Sequence, residues 1–414
     1  MKRATVILGV ILGLLPAGST FAVRTIYVAD GGSADFSTIQ AAIDDANEGD
    51  VIVIKPGTYT GDGNRDIDFK GKAITVRSEN GPQHCIIDCQ ATEQDMHRGF
   101  VFQNDEGANS VLCGLTITGG FARSGGAVFW AGHASPVITS CVIFGNSAYQ
   151  GGGISTQEGG RSSPTIVNCV ITDNRALYRD ESDLFSYGFG GGVFFFGSPP
   201  GWLDCGPPYG AYPIISNCTI IRNVAESTGG GISCASSCEV TVENSIVRGN
   251  AAIENSEDQN VGLALTADGC NPRCKVSYSN LEDGLDGIGA YYFVDWGDGN
   301  IDTDPAFTDP NNNDYHLKSQ AGRWDPNGQM WMQDEVTSPC IDVGDPMSPV
   351  GLEPFPNGGI VNMGAYGGTA EASKSYFGGP TCETIVAGDI NGDCKVDFKD
   401  IAIMMMHWLR PPDQ

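Results

Sequence analysis

The chain contains 414 residues, of which 57 are glycine, and its formal net charge is −27 at neutral pH. Glycine is about twice as frequent as its usual share of roughly 7%, but it lacks the every-third-residue period of collagen. So acidic a surface repels nucleic acid, anionic lipid and polyuronate chains, which argues against a bare groove for such anions. Calcium would reverse that argument by bridging acidic protein to acidic sugar.

The first 22 residues have the pattern of a secretory signal peptide. Lys2 and Arg3 precede an apolar run over residues 4–15, and Thr20-Phe21-Ala22 provides small residues for cleavage. We expect cleavage after Ala22, which removes two cations and changes the net charge from −27 to −29. The sequence therefore predicts a secreted protein, extracellular or at the cell surface, in an oxidising compartment.

The next segment is predicted to form a strand at residues 25–28, a short helix and a second strand at residues 49–54. Apolar residues between Asp35 and Ile43 have helical spacing, and Ser37 or Asp35 is placed to cap the helix. We expect this helix to cover the open end of the structure that follows, because exposed sheet edges need covering.

Residues 114–280 consist of repeated units. Short β-branched segments alternate with glycine clusters, and they align at residues 114–117, 140–143, 168–171, 217–220 and 244–247. The segments are too short for helices, and self-similarity at this period indicates stacked units. The sequence therefore predicts a coil of parallel strands, with rungs about 4.8 Å apart and the right-handed crossovers usual for parallel strands.

Such a coil stacks equivalent positions of successive units on one another. We expect Cys141, Cys169 and Cys218 to form a buried internal column of free thiols, with Leu115 and Ser245 at its ends. A second column is predicted at a turn, where amides bond along the axis, from Asn168, Asn217, Asn244 and Asn280.

These repeats, over residues 25–300, resemble the right-handed parallel β-helix of the pectin-lyase-like group in its bacterial extracellular form. The fold class is therefore predicted as all-β, with an N-terminal helical cap and a small C-terminal module. The resemblance implies a protein that acts on or binds polysaccharide, as a divergent polysaccharide lyase or glycoside hydrolase. The pairing of Phe144-Gly145-Asn146 with Gly-Gly-Gly-Ile also resembles polymorphic outer-membrane proteins, which implies instead a non-catalytic adhesin or structural protein. The Arg-x-Pro-x-x-Arg motif of pectate lyases is absent from the sequence, so catalysis stays open.

An insertion between Arg175 and Pro213 is the predicted place for chemistry, because functional residues gather on long loops over rigid scaffolds. Its candidate catalytic residues bring both charge signs together: Arg175, Arg179, Asp180, Glu181 and Asp183. Its candidate substrate-binding residues are aromatic: Tyr178, Tyr187, Trp202 and Tyr209. The alternative is a lid that packs its aromatic side chains on the coil. A smaller group, Glu93, Asp95, His97 and Arg98, is predicted to be a solvated turn.

Three close cysteine pairs are predicted to form local disulfides, as an exported protein allows. They are Cys85 with Cys89, Cys234 with Cys238, and Cys270 with Cys274.

The strand pattern loosens after Asp295, and residues 301–370 are predicted to form closing rungs and a terminal cap. A linker over residues 371–384 leads to a module at residues 385–414. This module has oxygen ligands at EF-hand spacing, which predicts one calcium ion bound by Asp389, Asn391, Asp393, the Lys395 carbonyl, Asp397 and Asp400. The module resembles one dockerin type I repeat, although dockerins typically carry two, and Cys394 stands where the loop needs glycine. The resemblance implies a cohesin-like or cell-surface partner.

Overall fold

The computed structural model describes residues 22–31, 33–156, 160–178, 188–197, 210–254, 259–264, 271–289, 293–378, 388–391 and 395–408. The predicted leader, most of the insertion and parts of the C-terminal module lie outside these residues.

The described chain is a right-handed parallel β-helix, as the repeats predict. Each rung contributes a strand to sheet A, then to sheet B, in the middle rungs to a short sheet D, and finally to sheet C. Sheet A contains Thr25–Val28, Val51–Ile54, Thr75–Ser78, Val111–Cys113, Val137–Thr139, Thr165–Val167, Ile214–Ser216, Glu239–Glu243, Arg273–Ser277 and Val294–Trp296. Sheet B contains Gly57–Tyr59, Cys85–Asp88, Thr116–Thr118, Val142–Phe144, Val170–Thr172, Thr219–Ile221, Ile246–Arg248 and Asn280–Leu281.

The two remaining sheets of the coil complete each rung. Sheet C contains Ile67–Asp68, Phe100–Phe102, Val128–Trp130, Ile154–Thr156, Val193–Gly197, Ile232–Ser236 and Val261–Ala264. Sheet D contains Phe121–Ser124, Ser147–Gln150, Arg175–Ala176, Val224–Ala225 and Ala251–Ala252. All strand pairs within sheets A to D are parallel and in register, so equivalent positions of the repeats face one another.

The glycine clusters lie between sheets D and C, where successive rungs approach closely. A Cβ atom on Gly152 would lie 2.4 Å from the carbonyl oxygen of Gly191 in the next rung. Only glycine fits such a position, so the clusters recur because each rung repeats the same close backbone approach.

The interior of the coil is one continuous apolar core. Inward residues such as Ile138, Ile143 and Ile171 are fully buried. The predicted cysteine column is confirmed: Cys141, Cys169 and Cys218 are buried and free, and the amide of Cys141 donates to the sulfur of Cys169 at 3.4 Å.

The asparagine ladder, in contrast, is at a different position from the one predicted. It is formed by Asn146, Asn174, Asn223 and Asn250, which follow sheet B and are buried. The backbone amide and the Nδ2 of Asn146 both donate to Oδ1 of Asn174 at 3.0 Å, and the same pair of bonds repeats along the ladder.

The asparagines predicted to form that ladder instead bind the C-terminal segment. Asn168, Asn217 and Asn244 occupy the left-handed corner between sheets A and B, with φ of 52°, 47° and 49°. Their side chains point outwards, because the inward place at this corner belongs to the buried residue that follows, which is Cys169, Cys218 or Ser245. The Nδ2 of Asn168 donates to the carbonyls of Ala365 and Gly367, and that of Asn217 donates to the carbonyl of Asn362. The Nδ2 of Asn244 donates to the hydroxyl of Ser348. Asn280 likewise donates to the carbonyl of Thr303.

We call residues 302–378 the strap, because they run back along the outside of sheet B. The strap contains two antiparallel hairpins, Phe307–Asp309 with Asp314–Leu317, and Arg323–Asp325 with Met330–Met332. It buries a second apolar core against outward residues of sheet B, which comprises Val170, Ile221, Ile246, Phe307, Tyr315, Leu317, Cys340, Ile341, Met363 and Ala365. The sequence predicts a cap over the end of the coil, whereas the structure lays most of this segment along its side.

Helix α1, Ile39–Asp45, covers the N-terminal end of the coil as predicted, with Ile39, Ala42 and Ile43 buried in the main core. The helix is capped by Thr38, whose hydroxyl accepts from the amide of Ala41, rather than by Asp35 or Ser37. Among the described residues, short 3-10 helices lie at Gly284–Gly287 and Pro310–Asn312.

The close cysteine pairs behave differently from one another. Cys234 and Cys238 form a disulfide, because Ser236 between them has a φ of 59° and turns the chain so that their Cα atoms are 6.0 Å apart. Cys85 and Cys89 are free, so that predicted disulfide is wrong. Cys85 begins the extended strand Cys85–Asp88, and four extended residues span about 13 Å, which a disulfide cannot bridge. Cys274 is free, and Cys270 lies outside the described residues.

Helix α2, Phe398–Trp408, follows the predicted calcium loop. Its Ile403 is buried, and the Cβ position of Gly359 in the strap lies 2.8 Å from the Ile403 side chain, so this helix packs on the strap. Over the residues that the structure describes, no helix has the length and apolar character needed to cross a membrane.

Candidate functional site

A groove with a volume of about 340 Å³ lies where the strap ends on the side of the coil. One wall is the corner between sheets A and B in the early and middle rungs, and the other is the strap turn at residues 365–371. Its lining comprises Arg77, Ser78, Asn80, Gly81, Pro82, Gln83, Cys113, Gly114, Ser140, Cys141, Val142, Asn168, Val170, Ala365, Tyr366, Thr369, Ala370 and Glu371. We call it the strap groove.

The coil wall presents Arg77 to the groove. Alternation along the strand Thr75–Ser78 buries Val76 in the core and turns Arg77 outwards. The Nη1 of Arg77 donates to the carbonyl of Ser78 at 3.0 Å, which holds the guanidinium at the corner. Cys113 pairs with Arg77 in the next rung, and burial raises the pKa of its thiol to about 11, so this cysteine stays protonated. Arg77 is therefore the charged group of this wall.

The strap wall presents Tyr366 and Glu371. Behind them lies His316, with 1% of its side chain exposed, stacked on the Tyr366 ring at a centroid distance of 3.7 Å. His316 Nδ1 is 2.6 Å from Asp314 Oδ1, and Nε2 is 3.3 Å from Glu371 Oε2. Burial by itself lowers the pKa of His316, but the hydrogen bonds with Asp314 and Glu371 outweigh burial and raise that pKa above its usual value.

The strap groove therefore places one cation and one carboxylate on opposite walls, together with amide and hydroxyl groups and one aromatic ring. Burial raises the pKa of Tyr366 far above its usual value, so its hydroxyl remains a neutral hydrogen-bonding group. Ligand sites commonly combine concavity with a few polar groups of this kind, at volumes of roughly 300–1,000 Å³. The residues of the coil wall belong to the in-register strands or to the corners between them.

Of the sequence-predicted catalytic and sugar-binding residues, the structure describes Arg175 and Tyr178. Arg175 Nη2 is 2.8 Å from Glu226 Oε1, and the backbone amide of Tyr178 donates to Glu226 Oε2 at 2.6 Å. Neither residue lines the strap groove. The other candidates fall outside the described residues: Arg179, Asp180, Glu181, Asp183, Tyr187, Trp202 and Tyr209.

The group predicted as a solvated turn is more ordered than expected. His97 lies between Asp66 and Asp95, at 2.5 and 3.2 Å, and the Arg98 guanidinium lies 4.6 Å from the centre of the Phe129 ring. Burial lowers the pKa of Arg98 to about 10. Asp95 belongs to the predicted group itself, whereas Asp66 and Phe129 come from neighbouring rungs, so no local pattern in the sequence connects these two residues to the group.

The described part of the C-terminal loop has the side chains that a calcium ion prefers. Asp389, Asn391 and Asp400 are all at least nine-tenths buried. Asp400 accepts from the backbone amides of Ile390, Asn391 and Asp397, and the last of these hydrogen bonds contributes most to lowering its pKa. Oδ1 of Asp400 accepts two of these hydrogen bonds and Oδ2 accepts one, so Oδ2 keeps a lone pair for a cation. The carboxylate and amide oxygens of this loop are ligands of the kind that calcium prefers, so the residue types fit calcium.

The same contacts also serve to start helix α2. Asp397 accepts from the amide of Lys399, while Asp400 reaches back to the amide of Asp397, which is a capping-box arrangement. Asp393 lies outside the described residues. Over the described chain, no group of three or more His, Cys, Asp or Glu side chains is placed to hold a metal ion.

The strap groove could not be found by sequence reasoning. Arg77 is a single cation in a strand, and Tyr366 and Glu371 lie almost 300 positions later, the first in the predicted cap and the second in the predicted linker. The available signal is the outward position of Arg77, since a charge next to an inward apolar residue, here Val76, marks the outer face of a strand.

A family model described as disaggregatase related matches residues 240–344, which is less than half of the chain. A comparison with curated protein sequences finds no match. Among solved structures, the chain is similar to an alginate lyase from Paenibacillus sp. str. FPU-7, with 18% identity, a TM-score of 0.38, and coverage of 62% of this chain and 86% of the lyase. It is similar to the pectate lyase Pel9A with 15% identity, a TM-score of 0.42 and coverage of 84% and 97%. A carrot pectin methylesterase shows 14% identity, a TM-score of 0.32 and coverage of 70% and 91%. At these identities the likeness concerns the fold alone.

Proposed function

We propose that this protein is secreted and binds polysaccharide in the strap groove. The observation that carries the proposal is the pairing of Arg77 with Glu371 and Tyr366 across a groove on the side of the coil. A cation, a carboxylate, amides and one aromatic ring suit a ligand that has many hydroxyl groups and a carboxylate.

A uronate-containing chain fits this groove better than a neutral one. The whole protein is strongly acidic and repels a uronate at long range, so a uronate needs a cation inside the groove itself. Arg77 is that cation. Arginine binds carboxylates in a bidentate manner, and Asn80 and Gln83 supply further donors at the same wall.

The test is binding of uronate and neutral oligosaccharides to the secreted protein, with and without calcium. Arg77→Ala is expected to weaken uronate binding about tenfold or more, since a charge-assisted hydrogen bond contributes roughly 1.5–3 kcal/mol. Arg123→Ala, a change at an exposed arginine in the sheet D strand Phe121–Ser124, is the matched control and should leave binding unchanged. Equal affinities of the Arg77→Ala variant and the wild type would remove the groove as the site.

A second candidate function is cleavage of the bound chain, as a lyase or a glycoside hydrolase. It is favoured by the series Asp314, His316 and Glu371, because a carboxylate in a groove backed by a buried imidazole is an arrangement for proton transfer. The assay measures unsaturated products and reducing ends. Cleavage that Glu371→Gln abolishes while binding persists supports this function, whereas binding without product on any substrate supports a non-catalytic adhesin or structural protein.

We further propose that residues 389–400 bind one calcium ion and that helix α2 presents a surface to a cohesin-like or cell-surface partner. Support comes from the burial of Asp389, Asn391 and Asp400 around one loop, and from the exposed apolar side chains of α2. Calorimetry of the full chain should show calcium binding that Asp389→Ala removes. Heat of binding that is unchanged in the variant would place the ion elsewhere.

A further inference from the structure

His316 is a buried titratable group that lies directly behind the strap wall of the strap groove, against Tyr366 and Glu371. It belongs to the hairpin strand Asp314–Leu317, and its ring is covered by the strap turn that carries Tyr366 and Glu371. The titratable groups that face it in the described structure are Asp314 on its own strand, and Tyr366 and Glu371 on the turn packed against it.

The two carboxylates that contact the ring are not equivalent. Asp314 has 15% of its side chain exposed and approaches Nδ1 to 2.6 Å. Glu371 has 40% exposed and approaches Nε2 to only 3.3 Å. An imidazolium donates from both nitrogens at once, whereas a neutral imidazole has a single N–H and presents a lone pair at the other nitrogen.

When the ring loses its proton, the remaining N–H stays with the closer and more buried partner, Asp314. The Nε2 lone pair then faces a carboxylate, which is repulsive, and Glu371 is the partner with access to water. The groove consequently gains an unpaired negative charge at its strap wall.

We propose that His316 is a positioning residue that holds Glu371 against the strap only while it is protonated, and so makes binding of acidic sugars in the strap groove dependent on pH. The first part of this inference, the positioning of Glu371, concerns the free protein and does not depend on the proposed function. The second part, the pH dependence of binding, rests on the proposed function.

Two measurements on the full chain test the two parts separately. Selective ¹³C-histidine labelling follows the titration of His316 by NMR, because the chain contains only five histidines. Carboxyl footprinting with mass spectrometry then measures the labelling of Glu371 relative to exposed Glu335 in the same sample, which corrects for the reagent's own pH dependence. We expect this ratio to rise as His316 deprotonates, and to stay flat with pH in His316→Gln. A ratio that is flat in the wild type, or that rises equally in His316→Gln, overturns the positioning role.

The second measurement is the affinity for a galacturonate trimer across the same pH range. It should fall about tenfold as His316 deprotonates, which corresponds to the loss of one charge-assisted interaction, and the fall should be absent in His316→Gln. A rise in the footprinting ratio with an affinity that does not change with pH overturns the second part. A rise in the ratio with no trimer binding at any pH supports the positioning role and overturns the proposed binding of uronate.

Discussion

Replacement of Asn174 by alanine should destabilise the coil strongly, because its side chain bonds to the ladder asparagines of both neighbouring rungs. The Oδ1 of Asn174 accepts from both the backbone amide and the Nδ2 of Asn146 at 3.0 Å, and its Nδ2 donates to the carbonyls of Ile143 and Thr172 and to Oδ1 of Asn223. Asn174 is fully buried, so water cannot replace these partners.

The magnitude follows from the groups that lose a partner. Alanine leaves the amide N–H of Asn146 without its acceptor and removes a donor from the carbonyls of Ile143 and Thr172, and each such buried group costs roughly 1–3 kcal/mol. The expected loss is about 4 kcal/mol, which is a large part of the 5–15 kcal/mol typical of a domain. Asn174→Asp should cost at least as much, because it keeps the acceptor but buries a charge that faces carbonyl oxygens.

The assay is urea unfolding followed by far-UV circular dichroism and tryptophan fluorescence. Asn312→Ala is the control, because Asn312 is exposed and makes a single local hydrogen bond, to Asp309. Its effect should stay within about 0.5 kcal/mol. An unfolding free energy for Asn174→Ala within about 1 kcal/mol of the wild type would refute the view that the ladder supports the coil.

Three other outcomes follow from the described contacts. Ile171→Asp places an unpaired charge at a fully buried position and should cost several kcal/mol in thermal unfolding, whereas Ile171→Val should cost only about 1 kcal/mol. Cys141 and Cys169 should resist thiol reagents in the native protein and react after denaturation, because burial raises the pKa of both thiols; rapid native labelling, seen by mass spectrometry, would contradict the internal column. Burial raises the pKa of Glu353 to about 8, so the folded protein binds a proton more tightly than the unfolded chain, and this contribution to stability is full below about pH 4.5 and lost as pH rises through 8. Glu353→Gln should therefore be more stable than the wild type at pH 8 by a few kcal/mol and similar to it at pH 4.5, and equal pH profiles of unfolding would contradict the assignment.

The architecture of the coil could be predicted because the repeats carry it locally. The residue pattern of each repeat predicts its own strands, corners and glycine clusters. Stacking of the repeats then places equivalent residues next to one another. The cysteine column was predictable for the same reason, since Cys141, Cys169 and Cys218 each stand directly before a strand of sheet B in their repeat.

The asparagine ladder shows where repetition alone is insufficient. Both Asn168 and Asn174 recur in phase, so periodicity does not distinguish them. What distinguishes them is the direction of the side chain, which depends on the corner: the left-handed φ of Asn168 turns its amide outwards, and the bend after sheet B turns that of Asn174 inwards. Backbone conformation at a corner is not visible in the spacing of residues.

The candidate site could not be predicted, because it depends on contacts between distant parts of the chain. The groove brings Arg77 in an early rung to Glu371 near the end of the strap, and no repeat or motif links them. The sequence instead favours the insertion between Arg175 and Pro213 as the site, because aromatic and charged residues in one loop are a strong local signal. The composition of a loop does not predict which residues from distant parts of the chain lie beside it.

The strap also limits how this protein can change over evolution. Parallel coils commonly lengthen or shorten by gaining or losing whole rungs, because each new rung makes the same contacts as its neighbours. Here the strap is anchored by hydrogen bonds to three successive rungs, through Asn168, Asn217 and Asn244. Insertion of a rung among them would move one anchor by about 4.8 Å relative to its partner. Duplications are therefore compatible with this chain before Asn168, whereas between Asn168 and Asn244 the number of rungs is fixed by the length of the strap.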